Sequence, residues 1–528
     1  MTASPVDDLR AAVLRAAEVL GGRPKTAPTL ERPKQADHGD YATNAAMLLA
    51  GALKAPPREI AERLATALQD ELGDTLVSAE VAGPGFLNLV LADSWYAAAL
   101  AGGAPQPRVQ TPRKVNVEFV SVNPTGPLHV GHSRNAAYGD ALSRLLAYVG
   151  HDVHREYYVN DYGSQVTLLA QSIQARARGE DVPEGGYVGE YVVELAGEIT
   201  GAAEMPIEEL QLAGVEAMLR HNAATLDRFR VHFDTWFSEK SLHEGSPSKV
   251  EQSWADLEAA GHLYRSDGAL WMRTTDFGDD KDRVLERSNG EHTYFSSDVA
   301  YHRDKRERGF ELMIDVWGAD HHGYIKRVKA AFAALGGDPD ELDLLIMQLV
   351  SLTNEGDALK MSKRAGDFVT LDELLDMIGA DAARWYLLQR SHDTHMELDV
   401  AQATKQSADN PVYYVQYAHA RIAGIRKKST ATPDPALPAG AQLHPSERAL
   451  IKKLLALGDE LVDAAERRAV HRVPGYALEL AQTFTAFYRD CPIVGDALEA
   501  FRLALAVETQ RVIAQCLDLM GISAPDEM

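Results

Sequence analysis

KVNVEFVSVNPTGPLHVGHSRNAAYGDALSRLLAYV, residues 114–149, decides the architecture of the middle of this chain. Residues 114–122 are rich in β-branched side chains and predict a strand. Pro124, Gly126 and Pro127 then force a loop, and 133–149 has the apolar spacing of a helix. DVHREYYV (152–159) predicts a second strand, with further strands at 293–297, 311–317 and 343–350 and helical runs between them. That alternation predicts an α/β domain with a parallel sheet, in which ligands sit beyond the carboxyl ends of the strands. Residues 180–262 are helix-rich and read as an insertion, followed by a hairpin at 262–273.

On the N-terminal side, helical spacing at 7–20 and 57–72 and strand-like runs at 76–82 and 86–91 predict a small α+β unit. AGGAPQPRVQTPR (101–113) reads as a linker. Beyond about residue 400 no strand signal remains. Helical segments at 400–428, 446–470, 474–490 and 497–520, broken by a Pro/Ala-rich loop at 429–445, predict a helix bundle. The expected division is therefore 1–110, 111–400 with the insertion at about 180–262, and 401–528.

The 528 residues are 45% hydrophobic and 25% charged, an ordinary globular composition that excludes disorder as the main state. No apolar run is long enough for a membrane-spanning helix. MTASPVDDLR lacks a basic-then-apolar export pattern, so a cytoplasmic enzyme is expected. Cys491 and Cys516 are the only cysteines, which excludes a four-cysteine zinc site and a disulfide framework; buried inert thiols are expected. The formal net charge of −24 argues against general coating of nucleic acid. Its distribution is uneven: −3 over residues 1–110, −20 over 111–410 and −1 over 411–528. The near-neutral ends could carry local basic faces, such as Arg426, Lys427 and Lys428 or Arg467, Arg468 and Arg472, or these could be solvated helix surfaces.

Two motifs carry chemistry. His129-Val130-Gly131-His132 opens the helix that follows the first strand, where unpaired N–H groups and the positive dipole end suit phosphate. Two imidazoles there can donate hydrogen bonds to phosphate oxygens as charge builds, and Gly131 lets a flat base lie against the backbone. The alternatives are a capping histidine pair or a metal site that needs a third ligand. Lys360-Met361-Ser362-Lys363, followed by Arg364, can close over a polyphosphate and stabilise leaving pyrophosphate, or can be a solvated basic loop.

Together, in this order within one alternating segment, the HxGH and KMSK stretches resemble the two signatures of class I aminoacyl-tRNA synthetases. The resemblance narrows to arginyl-tRNA synthetases of the bacterial type and covers nearly the whole chain. It rests on VEFVSVNPTGPLHVGHSRNAAYGDAL (117–142), YYVNDYGSQ (157–165), YVGEY (187–191), YFSSDVAYHRDK (294–305) and WGADHHGYIKRV (317–328). SHDTHMELDV (391–400), NPVYYVQYAHARI (410–422) and LDLMGISAPDEM (517–528) continue it, with HGDYATNAAMLLA (38–50) and GPGFLNLVL (83–91) at the front.

The resemblance implies a Rossmann-like catalytic domain between an N-terminal α+β domain touching tRNA and an all-α anticodon-binding domain. It implies ATP as substrate with accompanying Mg²⁺ and no zinc, L-arginine and tRNA(Arg) as partners, no membrane, and a monomer. It also implies that arginine is activated only with tRNA bound. Catalysis falls to His129, His132, Lys360 and Lys363. Glu118 and Asn123 are expected near the α-amino end of arginine, and Tyr294 and Asp298 near its guanidinium. Without the resemblance, Glu118 reads as a solvent-facing strand residue. Gly131, Gly318, Asp320, His321, Met361 and Ser362 join the histidines and lysines around ATP. Tyr413 and Tyr417, at i and i+4, are expected either to stack on anticodon bases or to form a core pair. His392 and His395 are expected to join domains. The chain keeps Lys363 and carries Gly126 where other branches of the family have a compensating lysine; Val122 stands where small residues are commoner.

Overall fold

The computed structural model describes residues 5–33, 38–359 and 369–528. Its centre is a sheet of five parallel strands: β1 (Lys114–Glu118), β2 (Asp152–Val159), β3 (Thr235–Ser238), β4 (Leu312–Gly318) and β5 (Leu342–Met347). Their spatial order is β5-β4-β1-β2-β3. The winding reverses between β1 and β4, so the crevice beyond their carboxyl ends is the expected ligand site of a doubly wound sheet.

The helix Val130–Tyr148 lies over that reversal, and 14 of its 19 residues are buried. Such a helix needs both a small-residue face and partners for its polar groups. A Cβ at Gly139 would fall 2.1 Å from Cγ of Phe119, so only glycine permits this approach to the chain leaving β1. Arg134 donates to the carbonyl oxygens of Gln348, Thr394 and Ser391. Asp140 is paired with fully buried Arg384 and with Arg144.

The strand expected at 293–297 is instead the first turn of the helix Tyr294–Glu307. Thr and aromatic residues favour strands locally. Here the burial of Phe295, Val299 and His302 follows helical spacing, and packing overrides propensity. β3, unanticipated, takes the edge place in the sheet. The run 343–350 spans two elements, because β5 ends at Met347 and a second strand, Val350–Asn354, joins a small sheet with Asp357–Ala358 and Met396–Asp399. The hairpin is present as Leu263–Ser266 and Ala269–Met272.

The N-terminal unit is a four-stranded antiparallel sheet with the helices Pro5–Val19, Ala45–Leu53 and Pro57–Leu72. It docks on the C-terminal bundle: Arg10 pairs with Asp459 at 2.9 Å, Arg448 with Asp93 at 2.7 Å, and the N–H of Ala104 donates to Glu508 at 2.6 Å. The bundle contains the helices Pro411–Lys428, Pro445–Leu455, Leu457–Glu466, Arg472–Asp490 and Glu499–Leu519. Cys491 and Cys516 are buried free thiols. Arg467 and Arg472 are ion-paired with Asp463 within the bundle, and only Arg468 crosses to the catalytic sheet, pairing with Asp343 of β5. Among the described residues no helix is long and apolar enough to cross a membrane.

Candidate active site

After β1 the chain turns sharply, with Val120 and Ser121 at φ of 68° and 44°. A β-branched residue in the left-handed region is strained and persists only where neighbours fix it. Asn135 supplies the fixing contacts: its Oδ1 accepts the N–H of Val120 and its Nδ2 donates to the carbonyl of Val316, both at 2.7 Å. One buried amide thus staples the loop after β1 to β4, across the reversal point.

The loop ends at His129, the N-cap of the following helix. Nδ1 of His129 accepts the N–H of Gly131 at 3.0 Å, and Nδ1 of His132 accepts the N–H of His129 at 3.3 Å. The rings lie 3.5 Å apart between centroids, tilted by 32°. The two histidines therefore do cap the helix, and capping fixes their chemistry. With each Nδ1 acting as acceptor, a neutral ring carries its proton on Nε2. Burial lowers the pKa of His129, and burial together with His129 pushes His132 down to about 3. Both are neutral at physiological pH, as N–H donors. Gly131 is exposed, and a Cβ there would meet Cε1 of His129 at 2.7 Å. The glycine keeps that ring in place as well as opening the backbone.

Lys360, Met361, Ser362 and Lys363 lie outside the described residues, but the chain on either side does not. On one side Leu359 donates to the carbonyl of Leu352 at 3.1 Å. On the other, the N–H of Val130 donates to the carbonyl of Val369 at 2.9 Å, and the N–H of Leu371 to the carbonyl of Leu128 at 2.8 Å. His129 and Thr370 form the β-bridge between these bonds. The segment that begins six residues after Lys363 is thus hydrogen-bonded to the HxGH stretch itself.

Glu118 ends β1 and is 6% exposed, not solvent-facing. In register beside it stand Asp315 of β4 and Glu156 of β2. Three carboxylates in a row across adjacent strands repel one another. The helix Tyr294–Glu307 covers them: Lys305 reaches Glu118 and Asp315 at 2.7 Å each, His302 reaches Asp315 at 2.8 Å, and Tyr301 donates to Glu156 at 2.7 Å. Arg308, at the helix end, completes a bidentate pair with Glu156. Burial alone would raise Asp315, but Lys305 and His302 hold it below the usual carboxylate range. Lys305, whose charge burial opposes, is held above the usual lysine range by Asp315 and Glu118.

Asp298 sits one turn into the same helix. Burial, reinforced by Glu118 and opposed by His302, pushes its pKa up to about 6. Facing it is Glu239, just past β3 and 2% exposed, which burial raises to about 7 with Asp298 contributing. Ser297 and Tyr158 offset part of that rise, but among the described residues Oε2 of Glu239 has no hydrogen-bond partner of good geometry. A buried carboxylate oxygen without a donor is costly unless a ligand supplies one. Glu239 lines a cleft of about 900 Å³ together with Asp161, Tyr162, His243, Tyr294 and Ser297. Tyr294 is 64% exposed at its edge. Asn123 is exposed on the loop after β1, and its Nδ2 donates to Gln165 at 2.6 Å.

Gly318 ends β4, and a Cβ there would meet Oδ1 of Asp320 at 2.7 Å, so any larger residue would displace that carboxylate. Asp320 and His321 follow, exposed, with His321 Nε2 at 3.4 Å from the Asp320 carboxylate. Among the described residues no group of three or more potential metal ligands stands together. Tyr413 and Tyr417 stack with ring planes 7° apart on a helix of the C-terminal bundle. Tyr417 is exposed, and Arg421 lies 4.7 Å over its ring. His395 contacts Ser351 at 3.3 Å, and His392 packs 5.5 Å from Tyr138, both between elements.

Family models match in three consecutive stretches. Residues 7–91 match the arginyl tRNA synthetase N terminal domain, 97–184 and 207–424 the catalytic domain of class I (R) tRNA synthetases, and 415–528 the DALR anticodon binding domain. An arginine–tRNA ligase of Frankia alni is 43% identical over all of both chains. One from Heliobacterium modesticaldum is 42% identical, covering 94% of this chain and 93% of its own. The chain belongs to the arginyl-tRNA synthetase family. The arginyl-tRNA synthetase of Thermus thermophilus has the same fold, with a TM-score of 0.78 and 27% identity over 99% of this chain and 100% of that one. A putative arginyl-tRNA synthetase structure from Campylobacter jejuni gives 0.77 and 35%, covering 83% of this chain and 100% of its own. The family thus matches the layout built above: an α+β unit, a doubly wound catalytic sheet and a helical bundle.

Proposed function

We infer that this arginine–tRNA ligase activates L-arginine with ATP, forming arginyl-adenylate and pyrophosphate, and passes the arginyl group to the terminal ribose of tRNA(Arg). The observation that carries this is the backbone bridge between Leu128–Val130 and Val369–Leu371. It ties the HxGH stretch to the segment that follows the KMSK stretch, near the reversal point of the sheet, where a nucleotide binds in this fold class.

In the first step the arginine carboxylate attacks the α-phosphate and the bond to pyrophosphate breaks. Neutral His129 and His132 donate from Nε2 to phosphate oxygens as charge builds on them. Lys360 and Lys363 hold the departing pyrophosphate, with Met361 and Ser362 completing the stretch. Gly131, Gly318, Asp320 and His321 line the base and ribose. Mg²⁺ accompanying ATP is held mainly by phosphate oxygens and water.

For arginine, Asp298 and Glu239 are carboxylates whose ionised form the surroundings only partly compensate, which suits a guanidinium. Tyr294 closes that end. Glu118 and Asn123, at the end of β1 and just beyond it, take the α-amino end. Residues 1–110 and 401–528 hold tRNA, with Tyr413 and Tyr417 presented to anticodon bases. The enzyme acts as a cytoplasmic monomer.

Activation depends on bound tRNA, whose binding energy orders the site. ATP–pyrophosphate exchange with arginine, run with and without tRNA(Arg), tests this. Exchange is expected only with tRNA, and robust exchange in its absence would sink tRNA dependence.

A further inference from the structure

The three carboxylates side by side on β4, β1 and β2 pose a question beyond their neutralisation. Apolar side chains would fill the same space without the repulsion, and buried ion pairs are poor sources of net stability. The geometry of the cations shows what the cluster achieves. Nζ of Lys305 is fully buried, lies 2.7 Å from both Glu118 Oε2 and Asp315 Oδ1, and sits 4.2 Å over the ring of Tyr301. Its three donor directions are thereby fixed. The second oxygen of Asp315 meets Nε2 of His302 at 2.8 Å, and Nδ1 of His302 meets the backbone carbonyl of Asp298 at 2.7 Å. With an oxygen at each nitrogen, the doubly protonated ring satisfies both contacts.

These bonds form one continuous line: Glu118, Lys305, Asp315, His302, backbone of Asp298. It joins the end of β1 to the first turns of the helix Tyr294–Glu307 through rigid, short, charge-assisted contacts. The two ends of the line are the residues assigned above to opposite ends of the amino-acid substrate. We propose that this line is a spacer that fixes the length of the arginine pocket, with Lys305, Asp315 and His302 as positioning residues that select the length of the substrate side chain. The proposal rests on the arginine reading of the site and deepens it. A pocket contact worth one methylene discriminates by about 10–200-fold, and a misplacement of about 1 Å at a reacting group costs on the order of 10²-fold. A spacer of this kind converts the first into the second, because a shorter substrate cannot draw Asp298 and Glu118 together.

The test compares L-arginine with 2-amino-4-guanidinobutanoate, one methylene shorter, in ATP–pyrophosphate exchange with tRNA(Arg) present. Two variants cut the line at different places while keeping side-chain size: Asp315→Asn between Lys305 and His302, and His302→Gln at the Asp298 carbonyl. In each, kcat/KM for arginine is expected to fall mainly through KM. The preference for arginine over the shorter acid is expected to fall by about 10-fold or more, with KM for ATP unchanged. A lower melting temperature with the preference unchanged overturns the spacer and leaves the cluster a structural one. If one variant does not fold, the other decides, since each removes a contact by which Asp315 and His302 steady Asp298 on its helix relative to β4 and β1. Absence of arginine-dependent exchange in the wild-type chain overturns the arginine reading and the spacer with it; a normal wild type with unchanged preference in the variants overturns the spacer alone.

Discussion

Asp298 and Glu239 keep their protons at pH values where an ordinary carboxylate has lost them, about 6 and about 7, because desolvation opposes their charge and each has carboxylate neighbours. A guanidinium binds the ionised forms, so arginine must compete with protons for both. At pH 8 nearly all of Asp298 and about nine-tenths of Glu239 are ionised, whereas at pH 5 the fractions are about one-tenth and about one-hundredth. The product of the fractions falls about 10³-fold, equivalent to about 4 kcal/mol of binding free energy. Arginine affinity is therefore expected to rise steeply from pH 5 to pH 7 and level off by pH 8. Calorimetric titration of the whole enzyme with L-arginine, in two buffers of different ionisation enthalpy, reads affinity and proton release together. At pH 6 about 1.4 protons should leave per arginine bound. Glu239→Gln removes one titration and should reduce the pH 5 to pH 8 contrast to about 10-fold, at lower affinity throughout. A flat affinity between pH 5 and pH 8, with no proton release, would refute the assignment of these two carboxylates to the guanidinium.

The same burial has a stability consequence. A carboxylate whose folded pKa is raised stabilises the fold at low pH and loses that contribution as pH climbs through the folded value. For Glu239, moved from 4.5 to about 7, the loss is about 3 kcal/mol by pH 8. Glu239→Gln should therefore melt at a higher temperature than wild type at pH 8 and close to it at pH 4.5, and a lower melting temperature at pH 8 would count against the burial argument. Gly131→Ala puts a Cβ 2.7 Å from Cε1 of His129 and must move that ring; kcat is expected to fall about 10²-fold with little change in KM for arginine. Asn135→Ala strips the N–H of Val120 and the carbonyl of Val316 of their partners, at about 1–3 kcal/mol each. Urea denaturation should show that loss, and wild-type stability in this variant would mean the loop after β1 is held by other contacts.

What could be read from the sequence follows the range of the forces involved. The strand–loop–helix run at 114–149 is decided by local periodicity and by Pro and Gly, and it stands where expected, as do the hairpin and the helical C-terminal unit. Residues 294–297 form a helix although their composition favours a strand, because Phe295 and Val299 pack against the hairpin sheet and the helix Ile325–Ala334, outside their own local window. The histidine pair was visible as a motif, but its tautomers come from backbone N–H groups that only the folded turn brings to each Nδ1. Glu239, Lys305 and Asp315 escaped notice for a related reason. Each is an ordinary charged residue in its own segment; Lys305 and Asp315 gain their meaning only when β4, β1 and β2 align three carboxylates in register, and Glu239 only when the end of β3 is set beside Asp298. Asn135 left a faint signal, a polar residue directly before the small pair Ala136-Ala137 in the helix. The basic cluster Arg467, Arg468 and Arg472 looked able to face RNA, yet its charges are spent on Asp463, Glu460 and Asp343.

Aminoacylation of tRNA(Arg) with each of the twenty amino acids, in wild type and in His132→Ala, bears on the whole chain of inference from motif to reaction. Arginine alone should be attached by the wild type, and His132→Ala should lower kcat by about 10²-fold or more while leaving KM for arginine nearly unchanged. Attachment of a different amino acid, or a His132→Ala defect confined to KM for arginine, would contradict both the substrate and the role given to the histidines.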